Sequence, residues 1–532
     1  MARSRPRPLD CKQIMTATQR TLLAVPITAA DTASARQQIL SAQSAGADIL
    51  EFRLDLMSPA DSFTLLAETS LPVIATARPT DQGGQFHGSQ DERLNLLKKV
   101  GQARPAFIDF EWPHFVGSAK AGQLISSITS DSIGADKPGL ILSFHDFDKV
   151  PANLDNLVSE MTGAPAAVIK VVCFAQSIRD NFSLFDCAHR ASRPSIVFAM
   201  GQAGEISRVL AAKLSTFLSF SSLSVAESSA PGQIPMDQLR SLYRWDNISR
   251  QTGVYGVVAS PVGHSLSPAI HNAAFEATGF DGLYLPFLVE PGYDNFAAFM
   301  DGFLKRPWLD LRGLSITIPH KENALRYLSE HGSNVDPLAQ RIGSLNTIVT
   351  SPDGRIAGHN TDRDAALEAL TAGSGITRAD LAGQQVAVLG AGGAARAVVA
   401  GLTQAQAKVL IYNRTAARAQ QLAKEFDATA VPLCQLARTS ARIIINTTSL
   451  GMHPDTKASP FPTEDLKPGM TVFDTIYNPP QTRLLAEAAQ AGARTISGTQ
   501  MFINQAARQF QLWTDLPAPT DLMCRVLQQS LI

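Results

Sequence analysis

The sequence predicts an α/β protein: an N-terminal (β/α)8 barrel, followed by a two-lobed α/β unit whose second lobe is Rossmann-like. Three observations predict it. Eight short β-rich runs recur between residues 21 and 223, with helical spacing between most of them. A glycine-rich turn joins a strand to a helix near residue 390. The chain has 532 residues, more than one hydrophobic core organises.

The eight runs are "TLLAVPI" (21–27), "ADILEFR" (47–53), "LPVIATAR" (71–78), "AFIDFEW" (106–112), "GLILSF" (139–144), "AAVIKVV" (166–172), "SIVFAM" (195–200) and "FLSFSSL" (217–223). Helical stretches such as "TASARQQILSAQSAG" and "DERLNLLKKVGQ" separate them. An open doubly wound sheet has the same rhythm, so the number of strands decides for a barrel. Strand ends carry Glu51, Arg53, Arg78, Asp109, Glu111, His145 and Asp146. Barrels build active sites at that rim, and arginine, glutamate and histidine are not ordinary turn residues.

The sixth run holds Lys170 among Val168, Ile169, Val171 and Val172. A strand buried on both faces is expected there, and an unpaired ammonium is costly to bury. Two readings stand: a lysine that snorkels or pairs with a carboxylate, and an amine kept neutral to attack a carbonyl.

The stretch "SSAPGQIPMDQLRSLYRWDNISRQTG" (228–253) is turn-rich and places a boundary near 246–252. Strand runs restart at "VYGVVAS", "GLYLPFLV", "LRGLSITI" and "GSLNTIVT". The expected domains are 21–247, 248–360 completed by helices at about 503–532, and 361–502. In "QQVAVLGAGGAARAVVAGL" (384–402), Gly390, Gly392 and Ala395 fit the dinucleotide fingerprint G-x-G-x-x-A. The segment Gly390, Ala391, Gly392, Gly393 and Ala394 is the expected phosphate cradle at a helix N-terminus. The next strand ends in Asn413, Arg414 and Thr415, with Arg418 one helical turn on. An NAD site places an acid there, whereas arginine suits a 2′-phosphate, so the expected cofactor is NADP (NADPH).

A formal net charge of −1 favours neither nucleic acid nor an anionic membrane. No apolar run is long enough to span a bilayer. The five cysteines (Cys11, Cys173, Cys187, Cys434, Cys524) are scattered and form no CxxC pair, which fits a reducing compartment. The basic start "MARSRPRPLDCKQIM" lacks an apolar signal core. The expectation is cytoplasmic, or an organelle stroma if that start is a targeting remnant. His264, His320 and His359 lack metal-ligand spacing, so no metal is expected. Oligomeric state is not legible.

The motifs "SPVGHSLSP", "SITIPHK", "GSLNT", "GHNTD", "GAGGAARA", "NRT", "NTTSLGM", "DTIYNPPQT" and "SGTQMFINQA" occur in one order over 253–530. This part resembles shikimate dehydrogenase. Residues 21–245 resemble type I 3-dehydroquinate dehydratase through "EFRLD", "TARP…QGG", "IDFEW", "LSFHDFDKVP", "VIKVV", "GEISR" and "SSAPGQI". Together the chain resembles the fusion of these two enzymes, which perform consecutive steps of the shikimate pathway.

The resemblance implies roles. Lys170 would form an imine with 3-dehydroquinate, and His145, at its ordinary pKa of about 6.5, would move the protons. Cationic neighbours would keep Lys170 neutral. Arg208 would take the carboxylate, while Glu51, Arg53, Arg78, Ser229 and Gln233 hold hydroxyls and close the site. Where the family usually has glutamate, this chain has Gln82, which supplies no charge to tune His145.

In the second half, Lys321 and Asp362 match the catalytic pair. Ser265 and Ser267 would bind the carboxylate of 3-dehydroshikimate or shikimate, Thr317, Asn346 and Gln505 would contact its hydroxyls, and Tyr477 lies in the matching "YNP" segment of the substrate site. Ser265, Ser267 and Asp362 also read as helix caps. Two other functions fit parts of the pattern. One is a Schiff-base lyase barrel joined to a quinate/shikimate dehydrogenase. The other is a non-catalytic metabolite sensor, against which stand the intact lysines, His145 and Asp362.

Overall fold

The computed structural model describes residues 20–531. The basic N-terminal stretch and Cys11 lie outside the described residues. Contacts divide the chain into two compact units, one ending at Thr252 and the other beginning at Gly253. Lys213, buried, donates to the carbonyls of Arg250 (2.9 Å) and Thr252 (2.7 Å), so the segment to 252 is tied to the first unit.

The first unit contains eight parallel strands: β1 (Leu22–Ile27), β2 (Ile49–Arg53), β3 (Val73–Thr76), β4 (Phe107–Glu111), β5 (Gly139–Asp146), β6 (Val168–Phe174), β7 (Ser195–Met200) and β8 (Leu218–Phe220). Their spatial order is β7-β6-β5-β4-β3-β2-β1-β8. The last seam, β7 to β8, is crossed by a backbone bond from Phe217 N to Ser195 O at 2.7 Å. The barrel is therefore nearly closed. Its interior is filled by Ile49, Ile74, Phe107, Ile141, Val168, Ile196 and Leu218, each contributed by a different strand. Register sets the rim: Ser143 of β5 lies beside Lys170 of β6, and His145 beside Val172.

The helix Gln90–Gln102 shows how local sequence serves that rim. Ser89 caps it and Glu92 reaches back to the cap, a capping box contributing about 1 kcal/mol. Arg93 recurs in phase with Leu96, Leu97 and Val100 on the buried face. A charged residue thus occupies a core position.

The second unit has two six-stranded sheets. The first comprises β9 (Gly253–Ala259), β10 (Gly282–Leu288), β11 (Leu311–Ile316), β12 (Asn334–Val335), β13 (Thr347–Thr350) and β14 (Ile356–His359), in the order β10-β9-β11-β13-β14-β12. It is mixed, because β13 runs antiparallel to both β11 and β14.

The second sheet comprises β15 (Gln385–Leu389), β16 (Lys408–Tyr412), β17 (Thr429–Val431), β18 (Ile443–Asn446), β19 (Thr471–Asp474) and β20 (Arg494–Ile496). The order is β17-β16-β15-β18-β19-β20 and every ladder is parallel. Strand order reverses between β15 and β18, the switch point where such sheets open a crevice.

The long helix Gly498–Thr514 returns to the first sheet. There Trp513 donates to Ile348 O at 3.0 Å, and Gln509 to Asn346 O at 3.0 Å.

Candidate active sites

The first site lies at the C-terminal rim of the barrel, in a cleft of about 520 Å³ including its open mouth. The barrel residues given a catalytic or substrate-binding role from sequence border it: Glu51, Arg53, Arg78, His145, Lys170, Arg208, Ser229 and Gln233. Lys170 is 3% exposed. Its Nζ lies 2.9 Å from Asp109 Oδ2, 3.4 Å from Glu51 Oε1, and 4.6 Å from the centre of the Phe220 ring. The expected cationic neighbour, Arg78 on Asp109, is thus joined by two carboxylates on the lysine itself. The lysine is ion-paired, and attack on a carbonyl requires a proton to leave first.

Asp109 is the hub. It accepts from Ser143 Oγ at 2.5 Å and from Arg78 at 3.3 Å. Burial alone would raise its pKa, but Lys170 and Arg78 hold it well below the usual carboxylate range.

His145 departs from expectation. Burial first, then Arg78 and Lys170, hold its pKa well below 6.5, with Asp109 opposing. The geometry gives the reason. Arg78 Nη1 stands 2.9 Å from Nδ1 and 2.8 Å from Nε2 of His145. A guanidinium only donates, and an imidazolium has no acceptor, so this contact requires a neutral ring.

Phe147 stacks on His145 at 6.1 Å between centroids. Gly83 makes room for it: with φ +73° and an added Cβ only 2.3 Å from the Phe147 ring, another residue would collide there. Gln82 turns its amide nitrogen to Asp81 O at 3.3 Å, and its buried Oε1 has no hydrogen-bond partner.

Arg208 carries the clearest ligand signal. It is 1% exposed, lies over Phe198 at 4.4 Å, and its Nε and Nη2 have no hydrogen-bond partner. Burial pushes its pKa down to about 10, with Glu205 opposing. A buried cation with unfilled donors at a cleft wall asks for an anion. Ser229 and Gln233 are joined through Gln233 Oε1, which accepts from Ser229 N at 2.7 Å. Arg53 is held by both oxygens of Asp55, at 2.9 and 2.6 Å.

The second site lies in the second unit. Lys321 begins the helix Lys321–Glu330, which follows β11, and its Nζ is ion-paired to Asp362 Oδ2. Asp362 begins the helix Asp362–Ser374, but its side chain is not the cap: Oδ1 accepts from Asn346 Nδ2 at 2.8 Å. Asn346 also reaches Thr361 Oγ1 at 2.9 Å and Gln505 Oε1 at 3.4 Å.

Phe502, Gln505 and Gln509 share one face of their helix. Phe502 stacks on Tyr477 at 4.1 Å. Gln509 accepts from Ser315 Oγ at 2.8 Å, and Ser315 accepts from the Tyr284 phenol at 2.6 Å. Ser265 receives the Ser267 N–H at 3.3 Å, while Leu266 occupies the cap of the helix Ser267–Thr278. Ser265 also faces the Tyr477 phenol, and Ser267 that of Tyr284. Thr317 follows β11 and is half-buried.

The glycine turn ends β15. Gly390 has φ +115°, and an added Cβ there would lie 2.6 Å from Thr447 Oγ1. At Gly392 an added Cβ meets nothing within 4 Å, which leaves open space before the helix Gly393–Gln404. These features fit a diphosphate on free N–H groups. At Gly393 an added Cβ would lie 3.0 Å from Lys321 Cδ, so the lysine stem passes beside the nucleotide turn. Next to it, Gly390 N donates to Tyr412 O at 2.8 Å, which sets Asn413–Thr415 alongside. Arg414 and Arg418 are exposed and make no ion pair among the described residues.

Asp109, Glu111, Arg93, Phe147 and Phe220 were not assigned to the site from sequence. The first two stood out only as polar strand ends. Arg93 lies on a helix and gave no signal.

These two sites define a class: a barrel lyase joined to a nucleotide-dependent dehydrogenase, two enzymes in one chain. Family models agree along its length. The type I 3-dehydroquinase model matches residues 23–250, and the shikimate dehydrogenase substrate-binding domain matches 257–348. The shikimate/quinate 5-dehydrogenase model matches 373–452 and the shikimate 5′-dehydrogenase C-terminal domain 498–528.

The chloroplastic bifunctional 3-dehydroquinate dehydratase/shikimate dehydrogenase of Arabidopsis thaliana is 36% identical over 91% of this chain and 80% of its own. The NADP(+) shikimate dehydrogenase of Methanosarcina acetivorans is 44% identical over 52% of this chain and 98% of its own. The crystal structure of the Thermus thermophilus shikimate 5-dehydrogenase with NADP(H) and shikimate is 39% identical. It covers 52% of this chain and 100% of its own, with a TM-score of 0.46. The chain belongs to the bifunctional 3-dehydroquinate dehydratase/shikimate dehydrogenase family.

Proposed function

We propose that the chain dehydrates 3-dehydroquinate to 3-dehydroshikimate at the barrel rim and reduces that product to shikimate in the second unit. The observation that carries this reading is one cleft bordered by a buried lysine, a neutral histidine and an unfilled buried guanidinium. In the barrel, Arg208 takes the substrate carboxylate. Glu51, Arg53, Ser229 and Gln233 take hydroxyls.

Lys170 loses its proton, attacks the C3 ketone and expels water, which forms an imine. Arg78 turns from His145 toward the substrate, and this frees a ring nitrogen to remove the C2 proton. The same imidazolium then protonates the departing C1 hydroxyl. Water finally hydrolyses the imine and returns the amine. One water is lost overall.

In the second unit, Ser265, Ser267 and Tyr477 hold the carboxylate, and Thr317, Asn346 and Gln505 the remaining groups. Gly390, Ala391, Gly392, Gly393 and Ala394 would hold the diphosphate of NADPH, and Asn413, Arg414, Thr415 and Arg418 its 2′-phosphate. When bound, this cofactor supplies the hydride. Lys321, held by Asp362, donates the proton that completes the new hydroxyl. We place the division between the two enzymes at Thr252–Gly253. No described helix is long and apolar enough to cross a membrane.

The test supplies 3-dehydroquinate and NADPH to the purified chain. Shikimate is the expected product, with one NADPH oxidised per molecule formed. Accumulation of 3-dehydroshikimate without oxidation would remove the second assignment, and recovery of unchanged 3-dehydroquinate the first.

A further inference from the structure

Arg93 and Glu111 do not border the cleft, and the chemistry above uses neither. Yet both are buried as charged residues directly behind its catalytic groups. Glu111, at the end of β4, is fully buried. Its Oε2 is ion-paired with Arg93. Its Oε1 has no hydrogen bond and stands 4.0 Å from Arg78 Nη1, the nitrogen that touches both ring nitrogens of His145. Arg93 also donates through Nε to the carbonyl of Ala77 at 2.8 Å, one residue before Arg78, and lies over Phe110 at 4.5 Å. The cluster Arg78, Arg93, Lys170, Glu51, Asp109 and Glu111 is balanced in charge only while His145 is neutral.

We propose that the Arg93–Glu111 pair is a positioning element of the dehydratase. It holds Arg78 by charge and through the Ala77 carbonyl, and so sets how firmly Arg78 presses on His145 and the pH at which His145 can act as base. The proposal rests on the dehydratase reading of the cleft. His145 is faced by Arg78 from the end of β3, Lys170 from β6, Asp109 from β4 and Arg53 from β2. Glu111 bears on it through Arg78. Burial raises the pKa of Glu111, opposed by Arg93 and Arg78 and helped by Asp109.

The experiment measures the acid limb of the dehydratase kcat, where a protonated His145 is inactive. Glu111→Gln removes the carboxylate that moderates Arg78, so the limb should move to lower pH, by on the order of one unit. Arg93→Met leaves Glu111 uncompensated, so the limb should move to higher pH. The double variant should return near the parent.

KM for 3-dehydroquinate and the reductase activity of the same chain should stay within about twofold, since neither residue touches substrate. Arg93→Lys keeps the charge and should hold the limb. A merely structural role lowers kcat in every variant without moving the limb. An unmoved limb in Glu111→Gln, or both single variants moving it in one direction, overturns the proposal. If Arg93→Met does not fold, the isosteric Glu111→Gln decides alone. If the parent chain shows no dehydratase activity, the reading of the cleft falls and the proposal with it.

Discussion

Lys170 and Lys321 are both ion-paired, yet they sit in different company. Lys170 is 3% exposed and shares its ammonium between Asp109 and Glu51 within a cluster that holds two arginines and a histidine. Lys321 has one carboxylate, Asp362, itself oriented by Asn346, and its stem passes the glycine turn after β15. A nucleophile must give up a proton and later regain it, which calls for several neighbours of both signs. A proton donor needs only to keep its proton until an alkoxide forms, and one oriented carboxylate suffices. Burial alone therefore does not separate the two proposed roles; the number and sign of the neighbours do.

The sharpest way to break this comparison is covalent. Lys170→Ala should lower dehydratase turnover by at least about a thousandfold while the reductase is retained. Borohydride with 3-dehydroquinate should add mass at Lys170 alone, read by peptide mass spectrometry. Labelling of Lys321 would erase the distinction. Next in size, Lys321→Ala should lower reductase kcat by about 10²–10⁴-fold and leave the dehydratase untouched. An equal loss in both activities would mean that this lysine supports folding.

Arg414→Ala sharpens the second half of the comparison. A charged hydrogen bond contributes about 1.5–3 kcal/mol, so the Michaelis constant for NADPH should rise by roughly 10–150-fold. That for NADH should hardly change. Weakening toward both cofactors would assign Arg414 to the adenine or to the fold, and an unchanged NADPH constant would shift the role to Arg418.

The smallest effect concerns stability. His271 is fully buried against Tyr284 (4.5 Å) and Trp513 (5.1 Å), with neither ring nitrogen partnered. Burial pushes its pKa down to about 3. The unfolded chain, near 6.5, takes protons first, so stability falls as pH drops from about 6.5 toward 3. By pH 4.5 the loss should reach about 3 kcal/mol in the second unit. His271→Phe should flatten that slope in urea unfolding, and an unchanged slope would place the acid sensitivity elsewhere.

Much of the architecture was legible because strand and helix periodicities are local. The count of eight β-rich runs, the glycine turn and the β-branched strand around Lys170 needed only nearest neighbours in sequence. The strands β12, β14, β17, β18, β19 and β20 were not read from sequence; β12, with two residues, is too short to show any alternation.

Sequence by itself singled out the candidate residues: Lys170, His145 and Arg208 in the barrel, and Lys321, Asp362 and the glycine turn beyond it. Only the tertiary structure decided their state. It set Asp109 and Glu51 against Lys170, pressed Arg78 on His145, and buried Arg93 beneath the rim. These groups come from strands and helices far apart in the chain, and their charges meet only when the barrel closes. Coulomb energy depends on distance and burial, and neither is encoded locally.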